Sequence, residues 1–210
     1  MEKLKGIHAG QVVWIIGRGP SLQYLVREDI GLGPIIALNQ AILKIEEFDF
    51  PNPVYYMHKD GGVRKRSLRT LSPDCDYTPN CGDRCGHMFR PLKGATLLVH
   101  RLESLYCFPD YAPRHVFDVK ELGLPGNEFS LIVAVKIGQF MGCTKFNFVS
   151  CDVHVNGDIR TFIPSGGLIL TRHDVSRQVE RLKPHLKGLD CGWITLIPRQ
   201  KEDLHESSKI

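Results

Sequence analysis

The segment formed by residues 12–21 constrains the fold more than any other part of the sequence. Its first half, VVWII, is apolar at every position and rich in β-branched residues, and its second half is GRGPS. A strand without polar alternation is typical of a parallel sheet whose two faces are both covered by helices. The pattern therefore predicts a buried strand that runs into a tight turn.

Short apolar runs of the same kind recur along the chain and alternate with segments of helical spacing. We predict further strands at residues 35–38, 54–57, 96–99, 116–119, 145–149 and 193–197, and helices at residues 22–28, 40–45, 128–141 and 174–186. Strands that alternate with helices predict an α/β fold, with a Rossmann-like, mostly parallel sheet and helices on both faces.

The domain organisation follows from length and local composition. The chain has 210 residues, 42% of them hydrophobic, which is enough for one globular core. We interpret residues 1–210 as a single domain, with residues 61–93 as an irregular insertion after the third strand and residues 199–210 as a polar tail. The apolar runs are too short for a membrane span. Charged residues follow Met1 where a secretion signal would be apolar, so we expect a cytoplasmic location.

The insertion at residues 61–93 is basic. It carries seven Lys and Arg residues against three Asp residues, whereas the whole chain has a net charge of +4. Such a segment is either a solvated loop or a surface that meets a polyanion, including a nucleic-acid acceptor. The stretch from residue 61 to residue 69 contains no aromatic residue on which a base could stack.

Polar side chains follow four of the predicted strands. They are residues 17–21 (GRGPS), Asn39, residues 58–60 (HKD) and residues 150–152 (SCD). In an open parallel sheet, ligands bind outside the carboxyl ends of the strands, so these groups predict a binding cleft.

The first turn predicts a site for a phosphate or a nucleotide, because Gly17 and Gly19 allow a close approach to the backbone. The turn is not the dinucleotide fingerprint, since Leu22 stands where that motif has its third glycine, and Asn39 stands where it has an acidic residue. No Gly-Lys-Ser/Thr is present, which disfavours a P-loop. A purely structural strand-to-helix turn is the alternative.

Several motifs resemble glycosyltransferase family 42, the bacterial sialyltransferases, and the related MptE-like domains, which include 6-hydroxymethylpterin diphosphokinases. Gly-x-Gly-Pro-Ser-Leu at residues 17–22 looks like the opening of that family, and Asn39-Gln40 looks like its Asn-Gln after the second strand. Residues 130–148 are similar to its helix, Gly-aromatic turn and strand, and residues 150–152 stand where it has Gly-x-Asp. His58 departs from the pattern, because the sialyltransferases have a second nucleotide-binding Asn there.

The resemblance implies a glycosyltransferase that moves a sugar from a nucleotide-sugar donor to a hydroxyl acceptor. His173 resembles the family's catalytic histidine in its placement and would act as the general base of a direct displacement. The leaving phosphate would be stabilised by the Gly19 and Ser21 amides and by Arg18 or Arg172. The residues expected to bind the nucleotide are Gly17, Arg18, Gly19, Pro20, Ser21, Asn39, His58 and Ser130. No cofactor would be required, and Asp152 is the second candidate catalytic residue.

Two alternatives remain. A diphosphokinase of the MptE-like type would use ATP and Mg²⁺, with Asp60 and Asp152 as hard oxygen ligands and Lys59 on a phosphate. A non-catalytic module that binds a nucleotide or a nucleic acid would have much the same sequence.

The insertion also contains a candidate zinc site. Cys75, Cys81, Cys85 and His87 supply three thiols and an imidazole, which could form a tetrahedral structural site in a loop with few apolar residues. The absence of a paired Cys-x2-Cys knuckle leaves an ordinary loop as the alternative. The other four cysteines are expected to be small buried apolar residues.

Overall fold

The computed structural model describes residues 1–58, 94–101, 113–126, 128–163, 167–170 and 175–199. Within these ranges, seven strands form one sheet: β1 (Val12–Ile16), β2 (Ile35–Leu38), β3 (Val54–His58), β4 (Thr96–His100), β5 (Arg114–Phe117), β6 (Lys145–Val149) and β9 (Asp190–Ile194). The other two strands, β7 (Arg160–Ile163) and β8 (Gly167–Leu170), form an antiparallel hairpin. The α-helices are α1 (Ala41–Ile45), α2 (Ser130–Phe140), α3 (Asp152–Val155) and α4 (Val175–Leu186). Short 3-10 helices cover Glu2–Leu4, Pro20–Tyr24 and Arg27–Asp29.

The seven strands lie in the order β5-β4-β3-β2-β1-β6-β9, and every neighbouring pair is parallel. Strands β1 to β5 follow one another in chain order toward one edge of the sheet, and β6 then pairs with the other side of β1. The predicted Rossmann-like parallel sheet is thus confirmed, with β1 in its interior.

Both faces of the sheet are covered, as the apolar strands predicted. On one face Val13 and Ile15 of β1 belong to a core that includes the apolar residues of α2 and Leu182 of α4. On the other face Ile16 belongs to a core that includes α1 and Leu22 of the Pro20–Tyr24 helix. Each fully buried Ile or Leu contributes about 1.5–3 kcal/mol relative to an exposed one, so these two layers stabilise the sheet.

The segment predicted as a helix at residues 22–28 differs in detail. It forms two short 3-10 helices, and the chain is extended at Val26 between them. Leu22 and Leu25 are both buried on one core, and a spacing of three residues suits the three-residue turn of a 3-10 helix.

The last strand begins three residues earlier than predicted. Its register pairs Asp190 with Lys145 and Ile194 with Val149, so the five residues of β6 determine which part of the apolar run is paired. The region between β6 and α4, where the sequence pattern predicts neither a strand nor a helix, contains α3 and the β7–β8 hairpin.

Most of the predicted insertion at residues 61–93 and of the tail at residues 199–210 lies outside the described residues; only Arg199 of the tail is described. No helix in the described ranges is both long enough and apolar enough to cross a bilayer.

Candidate functional site

The order of the strands points to one place for a ligand. The sheet reverses its direction of growth between β1 and β6, and in open α/β sheets ligands bind outside the carboxyl ends of the strands at such a point. We call the edge where the parallel strands end the carboxyl edge. The turns after β1 and β6 meet there, and both were singled out by the sequence.

The turn at residues 17–21 is held directly against the turn after β6. The Gly17 N–H donates to the Val149 carbonyl at 2.8 Å, and the Gly19 N–H donates to the Ser150 carbonyl at 2.7 Å. A Cβ atom on Gly19 would lie 2.3 Å from Asp152 Oδ2. Glycine is therefore required at this position by close packing against the carboxylate.

Asp152 explains why the two turns stay together. It is 2% exposed; its Oδ2 accepts a hydrogen bond from the Ser21 N–H at 2.7 Å, and its Oδ1 accepts one from the Ser21 hydroxyl at 2.8 Å. The Ser150 hydroxyl lies 3.1 Å from Ser21 Oγ. We call Ser21, Ser150 and Asp152 the Asp152 latch.

The latch corrects one expectation. The amides of Gly19 and Ser21 were expected to face a phosphate, but both donate to acceptors inside the protein. The helix after the turn is a 3-10 segment of five residues, which adds only a small dipole. Asp152 lies at the carboxyl edge as predicted, but its two oxygens hold the backbone together.

Arg18 and Asn39 bring polar groups to the neighbouring part of the carboxyl edge, between β1 and β2. The Arg18 guanidinium donates to Gln40 Oε1. Asn39 has a φ of +51°, in the left-handed region where Asn is more readily accommodated than most residues. Its N–H donates to the Met57 carbonyl at 3.1 Å. Backbone strain of this kind concentrates at functional sites.

Ser150 is the second non-glycine residue with a positive φ in the described part of the chain, at +53°. It follows β6 as Asn39 follows β2, so the two left-handed residues flank β1 on either side. The left-handed turn at Ser150 accompanies the hydrogen bond from Gly19 to its carbonyl.

His58 lies at the carboxyl end of β3. The side chain is buried, and the Tyr56 hydroxyl is 2.9 Å from its Nδ1. This contact fixes the orientation of the imidazole ring. Ser130 is the first residue of α2, which connects β5 to β6 and so begins near the carboxyl edge.

Sequence reasoning missed two features of this edge. His100 ends β4 and lies 3.9 Å from the Asp118 carboxylate, measured from Nε2 to Oδ1. The signal was available, since His100 directly follows an apolar run just as His58 does. The second feature is the β7–β8 hairpin, where the Phe162 N–H donates to the Arg18 carbonyl at 3.0 Å. The sequence signal for this hairpin was a set of turn residues between two short apolar runs.

No protein-family model matches this chain, and no curated protein matches it in sequence.

The remaining predicted site residues lie outside the described ranges: Lys59, Asp60, Cys75, Cys81, Cys85, His87, Arg172 and His173. Their roles as base, phosphate contacts, magnesium ligands and zinc ligands stay predictions. In the part of the chain that the structure describes, no three His, Cys, Asp or Glu side chains form a group that could hold a metal.

The described cysteines do not have the properties of nucleophiles. Cys143 and Cys151 are buried as expected, and Cys191 is half-buried. Burial raises the pKa of the Cys143 thiol to about 11. Burial, and then the negative charge of Asp152, raise the pKa of Cys151. A thiolate is needed for nucleophilic attack, so these side chains act as small apolar residues.

Proposed function

We propose that the chain is a glycosyltransferase that binds a nucleotide-sugar donor at the carboxyl edge and transfers the sugar to a hydroxyl acceptor. The observation that carries the proposal is the polar group formed at the carboxyl ends of β1 and β2 by Arg18 and Asn39, beside the switch point at β1 and within the Gly-x-Gly-Pro-Ser-Leu turn and the Asn-Gln that follows β2. That turn is also the part of the sequence that most resembles the sialyltransferases.

The geometry favours a nucleotide along the ends of β1, β2 and β3 and away from the Asp152 latch. Arg18 offers a cationic fork for a phosphate, and Asn39 offers an amide for a ribose or a base. His58 is the next polar group along the edge. A bound phosphate over Ser21 would instead compete with the Asp152 carboxylate for the same two donors.

The chemistry needs a base for the acceptor hydroxyl and a positive group for the departing nucleotide phosphate. His173 is our candidate base, because an imidazole titrates near neutral pH. Arg18 stabilises the phosphate as negative charge develops on it. The step is a direct displacement at the anomeric carbon: the acceptor oxygen forms the new bond, and the bond to the phosphate oxygen breaks. The acceptor is a glycan or a nucleic acid, and the basic residues 61–93 would attract a polyanionic one.

The diphosphokinase alternative ranks second because of the Asp152 latch. A magnesium ligand must be within reach of the ion, whereas Asp152 is 2% exposed and each of its oxygens already accepts a hydrogen bond from Ser21. A diphosphokinase would therefore have to move the groups packed around this carboxylate to use it.

The test is a thermal-shift panel of CMP, CDP, UDP, their sugar conjugates and an ATP analogue, each with and without Mg²⁺. A ligand at about 100 times its Kd stabilises the native state by about 2.7 kcal/mol, which raises the Tm of a domain of this size by about 5–10 °C. We expect a pyrimidine nucleotide or its sugar conjugate to give this shift without Mg²⁺. Stabilisation by the ATP analogue only with Mg²⁺ would favour the diphosphokinase, and no shift with any nucleotide would contradict both.

Asn39→Gly locates the binding site. Glycine tolerates the positive φ of this position, so the variant removes the side chain without adding backbone strain. We expect affinity for the stabilising nucleotide to fall about tenfold, the loss of one hydrogen bond of about 1.4 kcal/mol, while the Tm without ligand stays close to that of the wild type. Unchanged affinity would place the nucleotide elsewhere.

A further inference from the structure

Gln40 holds the Arg18 side chain in place. One terminal nitrogen of the guanidinium donates to Gln40 Oε1, which joins the turn after β1 to the start of α1. Gln40 is 7% exposed, and its carbonyl accepts the Leu43 N–H at 3.0 Å. The glutamine is thus anchored by its own helix and by burial, whereas Arg18 is half-buried at the carboxyl edge.

The main chain of Arg18 is anchored separately. Its carbonyl accepts the Phe162 N–H of the β7–β8 hairpin at 3.0 Å, and the next residue, Gly19, donates to Ser150. Backbone and side chain are therefore fixed by different elements. A guanidinium that is already oriented loses less rotamer entropy when it binds an anion.

The partner of Arg18 in this contact is an amide, which is neutral. The Gln40 amide orients the guanidinium and itself adds no negative charge beside it, as a carboxylate would. A planar fork with several N–H donors matches the oxygens of a phosphate.

The Asp152 latch confines the phosphate to the Arg18 side of the turn. Its carboxylate already accepts both donors of Ser21, and a phosphate beside it would meet a like charge in a buried setting. Arg18 and Asn39 lie on the other side, toward β2.

We propose that Arg18 recognises the 5′-phosphate of the bound nucleotide and that Gln40 is the positioning residue that orients it. This inference rests on the proposed function, because it assumes a nucleotide at the carboxyl edge. It specifies the substrate class as nucleoside 5′-phosphates and their sugar conjugates, with the phosphate supplying much of the affinity.

The experiment measures how much the phosphate adds to binding. Isothermal titration calorimetry gives Kd for cytidine, CMP and CDP and for uridine, UMP and UDP, and the ratio of nucleoside Kd to 5′-phosphate Kd is the phosphate increment. The variants are Arg18→Lys, Gln40→Ala and Gln40→Glu, the last of which would pair with Arg18 and cancel its charge. Gln178→Ala, at another buried glutamine, and Arg27→Lys are the matched controls.

We expect the phosphate increment to fall about tenfold in Arg18→Lys and Gln40→Glu and severalfold in Gln40→Ala, with nucleoside affinity unchanged. The controls should keep the wild-type increment. An unchanged increment in all three variants would overturn the inference and leave the nucleotide site standing. Equal weakening of nucleoside and nucleotide would assign Gln40 a purely structural role, which also overturns it. A wild-type protein that binds none of the six compounds would refute the proposed function as well.

Discussion

Asp152 is almost completely buried, and both of its carboxylate oxygens accept hydrogen bonds from Ser21. Its residue type and its position after a strand are equally compatible with catalysis, metal binding and a structural role. Burial and the two hydrogen bonds from Ser21 favour the structural role. Gly19 packs against the same side chain, so the Gly-x-Gly pattern is explained in part by packing on Asp152.

Replacement of Asp152 separates a positioning role from a chemical one. In Asp152→Ala the buried Ser21 N–H loses its acceptor, and we expect the free energy of unfolding to fall by about 3 kcal/mol. In Asp152→Asn the amide oxygen can accept the Ser21 N–H while the amide nitrogen faces Ser21 Oγ, so a loss of about 1 kcal/mol is expected. Urea denaturation of both variants measures the difference.

Nucleotide affinity supplies the second readout for these variants. Asp152→Asn should bind the stabilising nucleotide within a few-fold of the wild type, because the carboxylate contacts Ser21 and the proposed binding site lies on the other side of the turn. If Asp152→Asn and Asp152→Ala abolish nucleotide binding to the same extent while Asp152→Asn keeps wild-type stability, the carboxylate itself contacts the ligand or a metal.

At the scale of the elements, the close approach of α2 to the sheet positions the strands that form the site. Gly138 of α2 faces Phe146 of β6 and Val13 of β1: a Cβ at this position would lie 2.8 Å from Phe146 Cε1 and 3.3 Å from Val13 Cγ1. Phe146 and Val13 are both fully buried, so neither can move aside easily. The packing of this helix thus depends on the absence of one methyl group.

Gly138→Ala tests this packing. Alanine favours a helix interior by about 1 kcal/mol over glycine, but overpacking of a tight core costs about 1–3 kcal/mol. Since the nearest contact atom belongs to the buried ring of Phe146, we expect the cost of overpacking to exceed the gain in helix propensity. The free energy of unfolding, measured by urea denaturation, should then fall by about 1 kcal/mol or more. Gly126→Ala is the matched control, because a Cβ there meets nothing within 4 Å. A stability of Gly138→Ala equal to or above that of the wild type would show that α2 adjusts freely.

At the scale of the whole molecule, a buried polar pair lies away from the carboxyl edge. His8 Nε2 and the Tyr55 hydroxyl are 2.8 Å apart, and both residues are buried. Burial lowers the pKa of His8 below the ordinary value of 6.5, against the opposing effect of the Gln11 hydrogen bond. Burial, and then the charges of the N-terminus and Lys3, also lower the pKa of His115.

These shifts make stability depend on pH in a definite direction. A histidine whose pKa is lower in the folded state takes up its proton more readily when unfolded, so it contributes stability above pH 6.5 that is lost as the pH falls through the folded pKa. We expect the free energy of unfolding to decrease as the pH falls below 6.5, and His8→Gln to reduce this dependence. Urea denaturation at a series of pH values is the measurement. A variant whose pH profile matches that of the wild type would remove His8 from this role.

Much of the fold could be predicted from local patterns. Val12–Ile16, Ile35–Leu38 and Lys145–Val149 were predicted with the bounds that the structure has, because an apolar run that ends in a turn is a local signal. The last strand was displaced because its pairing with β6 begins at Asp190 and includes only Trp193 and Ile194 of the predicted apolar run. The hairpin after β6 was missed because its strands are short and its stability depends on packing over the first turn.

The sequence by itself determined the α/β class, the parallel sheet and several of the polar residues at the carboxyl edge, among them Arg18, Asn39 and Asp152, since each follows from hydrophobic pattern and from the position of a residue relative to a strand. Only the tertiary structure decided that β6 lies beside β1, that Asp152 holds Ser21, and that Gln40 holds Arg18. The two side-chain contacts join residues 131 and 22 positions apart. Hydrogen bonds between residues so distant in sequence form only when the strands are assembled, because the register of the sheet brings the turns together.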